Sequence, residues 1–263
     1  MSEQGKRALV TGGARRLGRD MALTLAQQGY DVAVHYGGSA DAAEETAAEI
    51  RALGQKAATL QADLLVEDEV QALVGRAQEA LGGPLTALVN NASIFEHDDY
   101  GTATRESWDR HIESNLRAPF VLIQNFAEQA PEPLKDARGE PVAQAMVVNM
   151  IDQRVRKLTP EFASYTIAKM GLWAMTRTAA MALAPRVRVN GIGPGPTLRG
   201  GRQSDEDFAA QRAATVLERG SDSEDITAAL VYLLSAKAVT GQLLCVDGGQ
   251  HLAWQTPDVT EVE

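Results

Sequence analysis

Short apolar runs recur along the chain, separated by longer stretches in which apolar residues return every three or four positions. The runs "RALVT" (7–11), "DVAVHY" (31–36), "AATLQ" (57–61), "LTALVN" (85–90), "AQAMVVNM" (143–150), "RVRVNGI" (186–192) and "QLLCVD" (242–247) have strand length and suit a pleated, half-buried surface. Between them, helical patterns lie near 17–28, 41–53, 67–81, 106–129, 163–184 and 222–235, rich in the Ala, Leu, Glu and Gln that cost little in a helix.

Strict alternation of strand and helix predicts right-handed crossovers into a parallel sheet covered on both faces. The expected architecture is α/β, a Rossmann-type doubly wound sheet of about seven strands. No Pro/Ser-rich linker divides the 263 residues, so one domain is expected. Ligands of such sheets bind beyond the carboxyl ends of the strands, which is where the chemistry is sought.

Composition narrows the function classes. With 35 acidic and 25 basic residues the formal charge is −10, which disfavours a nucleic-acid backbone as partner. Cys245 is the only cysteine, so neither an intrachain disulfide nor a cysteine-based metal site can form, and a reducing, cytoplasmic setting fits. No run approaches the roughly 18 apolar residues of a membrane span. The histidines His35, His97, His111 and His251 lack metal-ligand spacing, so no metal is expected. The last stretch, 255–263, is polar and acidic and is expected to fray.

"TGGARRLG" follows the first strand and leads into a helix: Thr11, Gly12, Gly13, Ala14, Arg15, Arg16, Leu17, Gly18. Glycines admit a pyrophosphate close to the backbone, and the helix N-terminus offers unpaired N–H groups. A plain strand-to-helix loop has the same look in isolation. The second strand ends in His35, Tyr36, Gly37, Gly38 and Ser39, without the carboxylate that binds the NAD ribose. That absence, with Arg15 nearby and Ser39 as a hydroxyl donor, favours NADP(H) over NAD, although Gly37 and Gly38 supply no cation. Asp63 in "QADL" can accept from an adenine amine or serve a helix start. Asn90, Asn91, Ala92 and Ser93 fall at the carboxyl edge of the fourth strand.

Tyr165 and Lys169 are four apart in one helical pattern and share a face. A nearby ammonium stabilises a phenolate and would bring the tyrosine toward neutral pH.

"TGGARRLG", "QADL", "LVNNAS", Asn115 in "ESNLRAPF", "YTIAK" and "RVNGIGPGPT" together resemble the ordered motifs of the short-chain dehydrogenase/reductases, from residue 7 to about 249. The resemblance implies Tyr165 as catalytic acid–base, Lys169 on the nicotinamide ribose and lowering the tyrosine's pKa, and Asn115 holding a water of the proton relay. It places the cofactor along Thr11, Gly12, Arg15, Arg16, Leu17, Gly18, His35, Tyr36, Ser39, Asp63, Leu64, Asn91, Ala92 and Ser93, with Pro194, Gly195 and Thr197 lining the nicotinamide pocket. It also implies a homotetramer built on the helices around 106–129 and 163–184.

Two departures from the common pattern, Arg16 for a glycine and Asp152 for a serine, resemble the pteridine reductase branch, where an aspartate precedes the Tyr/Lys pair by the same thirteen residues. "NNASIF" puts Phe95 where an aromatic ring of that branch stacks on the pterin. The implied substrate site is Arg16, Ser93, Phe95, Asp152 and Tyr165, for a dihydropterin or dihydrofolate. The chemistry agrees: a ketone needs a hydroxyl donor at its oxygen, whereas an ionised Asp152 only accepts and would repel a developing oxyanion. A reduced ring nitrogen must instead be protonated, which a carboxylate beside Tyr165 can assist. A general carbonyl reductase and a non-catalytic dinucleotide sensor are the competing readings. The segment 197–220 is expected to be a mobile flap over the substrate.

Overall fold

The computed structural model describes residues 5–201 and 203–254; the expected fraying tail lies outside them. Strands β1 (Arg7–Val10), β2 (Asp31–Tyr36), β3 (Ala57–Gln61), β4 (Ala87–Asn90), β7 (Ala145–Met150), β8 (Val187–Pro194) and β9 (Leu243–Val246) form one sheet in the order β3-β2-β1-β4-β7-β8-β9. Every neighbouring pair is parallel. A small antiparallel ribbon, β5 (Leu134–Lys135) with β6 (Pro141–Val142), was not expected from the sequence.

Alternation along each strand divides the core between two faces. Leu9, Leu88 and Val147 pack one way, against α3 (Glu67–Leu81) and α5 (Ala118–Gln129). Ala8, Val10, Val89 and Val148 pack the other way, against α1 (Arg16–Gln27) and α8 (Ser223–Ser235). α2 (Ala40–Ala52) flanks β2 and β3 on this second side, and α6 (Ala163–Leu183) lies along β8. Among the described residues, no helix is long and apolar enough to cross a membrane.

The pattern over 106–129 is not one helix. α4 (Arg105–Ile112) opens with a Thr104/Ser107 capping box and passes through a π turn, Glu113–Arg117, into α5. Pro119 has no N–H to give the carbonyl of Asn115, so the α-ladder must widen there. The segment 197–220 also holds an element that its weak periodicity hid: α7 (Asp205–Ala213), started by the Ser204 hydroxyl accepting from Asp207 N–H.

Sheet register sets the site. Val10 pairs with Val89, and Asn90 with Asn149, so the carboxyl ends of β1, β4 and β7 finish side by side. Asn90 donates to Asn149 (2.8 Å), and Asn149 to the hydroxyl of Thr176 on α6 (2.9 Å). All three are buried, so this chain fixes α6 over the sheet edge.

Candidate active site

At the end of β1 the chain turns through Gly12, whose φ of +61° lies in the left-handed region, and enters α1. Gly18 is required by packing: a Cβ there would stand 2.0 Å from the Gly12 carbonyl oxygen and 2.5 Å from the Asn91 amide. Asn91 donates to the carbonyls of Thr11 (2.9 Å) and Gly12 (3.2 Å), while the Thr11 hydroxyl accepts from Asn91 and Ala92 N–H. The β4 loop therefore clamps the turn.

Arg16 has φ +53°, so the position where the common pattern has glycine keeps a glycine's conformation while carrying a side chain. That costs roughly 1–2 kcal/mol. Its guanidinium donates to the carbonyls of Leu198 (3.2 Å) and Arg199 (3.1 Å), joining the turn to the segment after β8.

His35 lies under the turn. It is 2% exposed; its Nδ1 accepts from Gly12 N–H (3.0 Å) and its Nε2 donates to the Ala62 carbonyl (3.0 Å). A backbone N–H can only donate, so the proton sits on Nε2 and the ring is neutral. Burial also holds its pKa below the ordinary imidazole value. Its part is to shape the turn from beneath. Tyr36 and Leu17 pack at the margin of the second core face, Leu64 at that of the first. Ser39 precedes α2 without a capping bond, Arg15 is exposed, and Asp63 accepts from Leu65 N–H (3.0 Å).

At the other end, Tyr165 donates its hydroxyl to Asp152 Oδ2 (2.9 Å), and Asp152 Oδ1 accepts from Arg154 N–H (2.7 Å). Both oxygens act as acceptors, which is how a carboxylate behaves. Lys169, 2% exposed, donates to the Met150 carbonyl (2.8 Å) and lies 5.6 Å from the centre of the Tyr165 ring. Burial lowers its pKa to about 8 against the pull of Asp152.

The expected lowering of the tyrosine's pKa is reversed. Burial, then the charge and hydrogen bond of Asp152, push the Tyr165 phenol well above its usual value, while Arg154 and Ser93 act the other way. Beyond burial, the geometry explains this: the carboxylate is in hydrogen-bond contact with the hydroxyl at 2.9 Å, whereas the Lys169 ammonium lies 5.6 Å from the ring centre.

Asn115 lies in the π turn between α4 and α5, with its side chain on the loop after β4. Its side-chain oxygen accepts from Ile94 N–H (2.9 Å) and its amide donates to the Ile94 carbonyl (2.8 Å), so it splints the loop that carries Ser93 and Phe95. Phe95 is 47% exposed; it stacks on Phe162 at 4.4 Å and 10° and meets Tyr165 edge-on at 4.7 Å. The Arg154 guanidinium covers Phe162 at 5.0 Å. Phe162 and Arg154 were missed in the sequence, although an aromatic three residues before the tyrosine was a usable signal. Pro194 and Gly195 end β8 close to Asp247, and the Thr197 hydroxyl donates to the Gly195 carbonyl (3.1 Å) and pairs with Ser221.

A family profile described as Enoyl-(Acyl carrier protein) reductase matches residues 12–251. The 3-oxoacyl-acyl-carrier-protein reductase of Staphylococcus epidermidis is 33% identical over 94% of this chain and 99% of its own. The chain is a short-chain dehydrogenase/reductase. Within this oxidoreductase family it also resembles pteridine reductase 1 of Leishmania tarentolae, at 32% identity over 93% of this chain and 96% of that one. Among solved structures, FolM alternative dihydrofolate reductase 1 of Brucella suis in complex with NADP superposes with a TM-score of 0.88 at 43% identity, covering 96% and 98% of the two chains. The Brucella canis protein, complexed with NADP, gives 0.87 at 42%, covering 97% and 98%.

Proposed function

We propose that the protein is an NADPH-dependent reductase of pterins, acting on a dihydropterin or dihydrofolate. The observation that carries this reading is the 2.9 Å hydrogen bond from Tyr165 to Asp152 Oδ2. A carboxylate there accepts hydrogen bonds and disfavours an oxyanion beside it, so it suits a ring nitrogen that must gain a proton better than a ketone oxygen. The pteridine reductase and FolM relatives support the same class.

The residues present fit a dinucleotide. The Gly12–Gly18 turn leaves no room for a side chain at Gly18, it opens a helix N-terminus, and the residues directly after β2, Gly37, Gly38 and Ser39, bring no carboxylate to repel a 2′-phosphate. Thr11, Gly12, Arg15, Leu17, Asn91 and Ala92 would hold the phosphates and ribose, with Lys169 at the nicotinamide ribose. When bound, the nicotinamide supplies a hydride. Tyr165, a neutral phenol, gives its proton to the ring nitrogen, and Asp152 holds the phenol in line and assists its reprotonation. Phe95 offers a ring against which a flat heterocycle can lie. The exposed Phe120 on α5 and Met181 on α6, 42% and 74% accessible, support a homotetramer that covers these helices.

The test is NADPH oxidation with dihydropterins, dihydrofolate, ketones and 3-oxoacyl thioesters side by side. Turnover of a dihydropterin or dihydrofolate above the carbonyls is expected; no pterin or folate turnover overturns the reading. The 3-oxoacyl-acyl-carrier-protein reductase relatives favour a carbonyl reductase as second reading, and the same screen separates the two.

A further inference from the structure

Behind Tyr165 lies a closed polar cluster that the chemistry above does not use. Asp98 is 1% exposed, His111 is fully buried and Ser164 is 1% exposed. They come from the loop after β4, from α4 and from the start of α6, so no local pattern in the sequence joins them.

Hydrogen-bond accounting sets the direction of donation from His111 through Ser164 to Asp98. Glu96 N–H donates to His111 Nε2 (3.1 Å), so the ring's proton must sit on Nδ1, which donates to Ser164 Oγ (2.7 Å). Ser164 Oγ passes its own proton to Asp98 Oδ2, which also accepts from Ser107 Oγ (3.1 Å). Asp98 Oδ1 accepts from Ser164 N–H (3.1 Å), and the Asp98 carbonyl from Ala163 N–H (3.1 Å). The direction of donation runs one way, from a neutral histidine to a charged carboxylate.

The cluster also supplies what α6 lacks. That helix is preceded by Phe162 in a left-handed conformation, has no side-chain cap of its own and no acid in its first turn. Asp98, reaching over from another loop, satisfies an N–H of that turn and places a negative charge at the positive end of the helix. The next residue is Tyr165, whose ring lies edge-on to His111 at 5.9 Å. The same cluster ties down Glu96, one residue from Phe95.

We propose that Asp98, Ser164 and His111 are a positioning unit that sets Tyr165 and Phe95 in register with each other, so that the proton donor and the aromatic wall of the substrate slot move as one body. None of the three touches substrate or cofactor; they act through Tyr165 and Phe95. The proposal rests on the reductase reading of the site and not on the identity of the substrate.

Ser164→Ala is the informative variant, because it cuts the link between His111 and Asp98 while leaving the buried carboxylate its backbone and Ser107 donors. With whichever of a dihydropterin or a 3-oxoacyl thioester the wild-type protein turns over, kcat should fall on the order of tenfold to a hundredfold, the scale of a small misplacement of a reacting group. NADPH affinity, read by fluorescence titration, should stay unchanged, and Ser164→Thr, which restores a hydroxyl, should recover most of the rate. A double-mutant cycle with Phe95→Leu should be non-additive, since both changes act on one slot. Wild-type kcat in Ser164→Ala overturns the proposal, as does a loss of NADPH affinity as large as the loss of rate, or an additive cycle.

Discussion

The cofactor turn and the tyrosine end of the site each rest on a buried histidine, and the two rings carry their proton on opposite nitrogens. His35 receives Gly12 N–H at Nδ1 and gives Nε2–H to Ala62; His111 receives Glu96 N–H at Nε2 and gives Nδ1–H to Ser164. Under the turn, both partners are backbone groups and nothing is charged. At the tyrosine end, the chain of donors leads to the carboxylate of Asp98, and a second carboxylate, Asp152, holds the reactive phenol. The turn is a cradle held by neutral hydrogen bonds from Asn91, Thr11 and His35 and by the missing side chain at Gly18. The tyrosine end is an electrostatic device, in which burial raises the stakes of every charge.

The two ends should therefore break separately. Replacing Tyr165 by Phe removes the proposed proton donor and should lower kcat by roughly 10²–10⁴ while NADPH titration stays near wild type. Gly18→Ala should do the reverse: with a Cβ 2.0 Å from the Gly12 carbonyl, NADPH affinity should fall on the order of tenfold to a hundredfold, with kcat at saturation far less changed.

A smaller effect sharpens the contrast through pH. Lys169 has its pKa lowered to about 8, so its ammonium is present below that value and lost above it. NADPH affinity should weaken severalfold as pH rises through about 8, and Lys169→Met should flatten that dependence. The smallest effect concerns acid stability. Burial acts to raise the Asp98 carboxyl, but its hydrogen bonds from Ser164 and Ser107 outweigh this and hold it below the usual range. A depressed carboxylate stabilises the fold above its unfolded pKa of about 4 and loses that contribution as pH falls toward its folded value. Thermal melts of Asp98→Asn should show a shallower loss of stability below about pH 4 than the wild type.

The same contrast explains what could be read from the sequence. Strand periodicity, the glycine turn and the i, i+4 Tyr/Lys pair are local patterns, and all seven sheet strands occur within two residues of the ends read, with the glycine turn directly after β1. Asp152 was legible through its resemblance to the pteridine reductase branch, whose aspartate stands thirteen residues before the Tyr/Lys pair, and the structure brings it into contact with Tyr165. What was missed depends on contacts far apart in the chain. Asp98 meets Ser164 across 66 residues and Arg16 meets Arg199 across 183, and no residue type marks either partner. The raised pKa of Tyr165 was misread for a related reason: the i+4 spacing says that Lys169 is near the ring, but not that the phenol is buried and hydrogen-bonded to Asp152. α7 hid because none of its residues is buried, which leaves no apolar stripe to read.

The central claim is that the carboxylate at 152 adapts a short-chain reductase site to a heterocycle. The direct measurement is the ratio of dihydropterin to ketone turnover, at saturating NADPH, for the wild type and for Asp152→Ser. We expect the serine to lower pterin turnover, leave NADPH affinity intact and shift the ratio toward the ketone. An unchanged ratio, or a wild-type protein already faster on ketones, would contradict it.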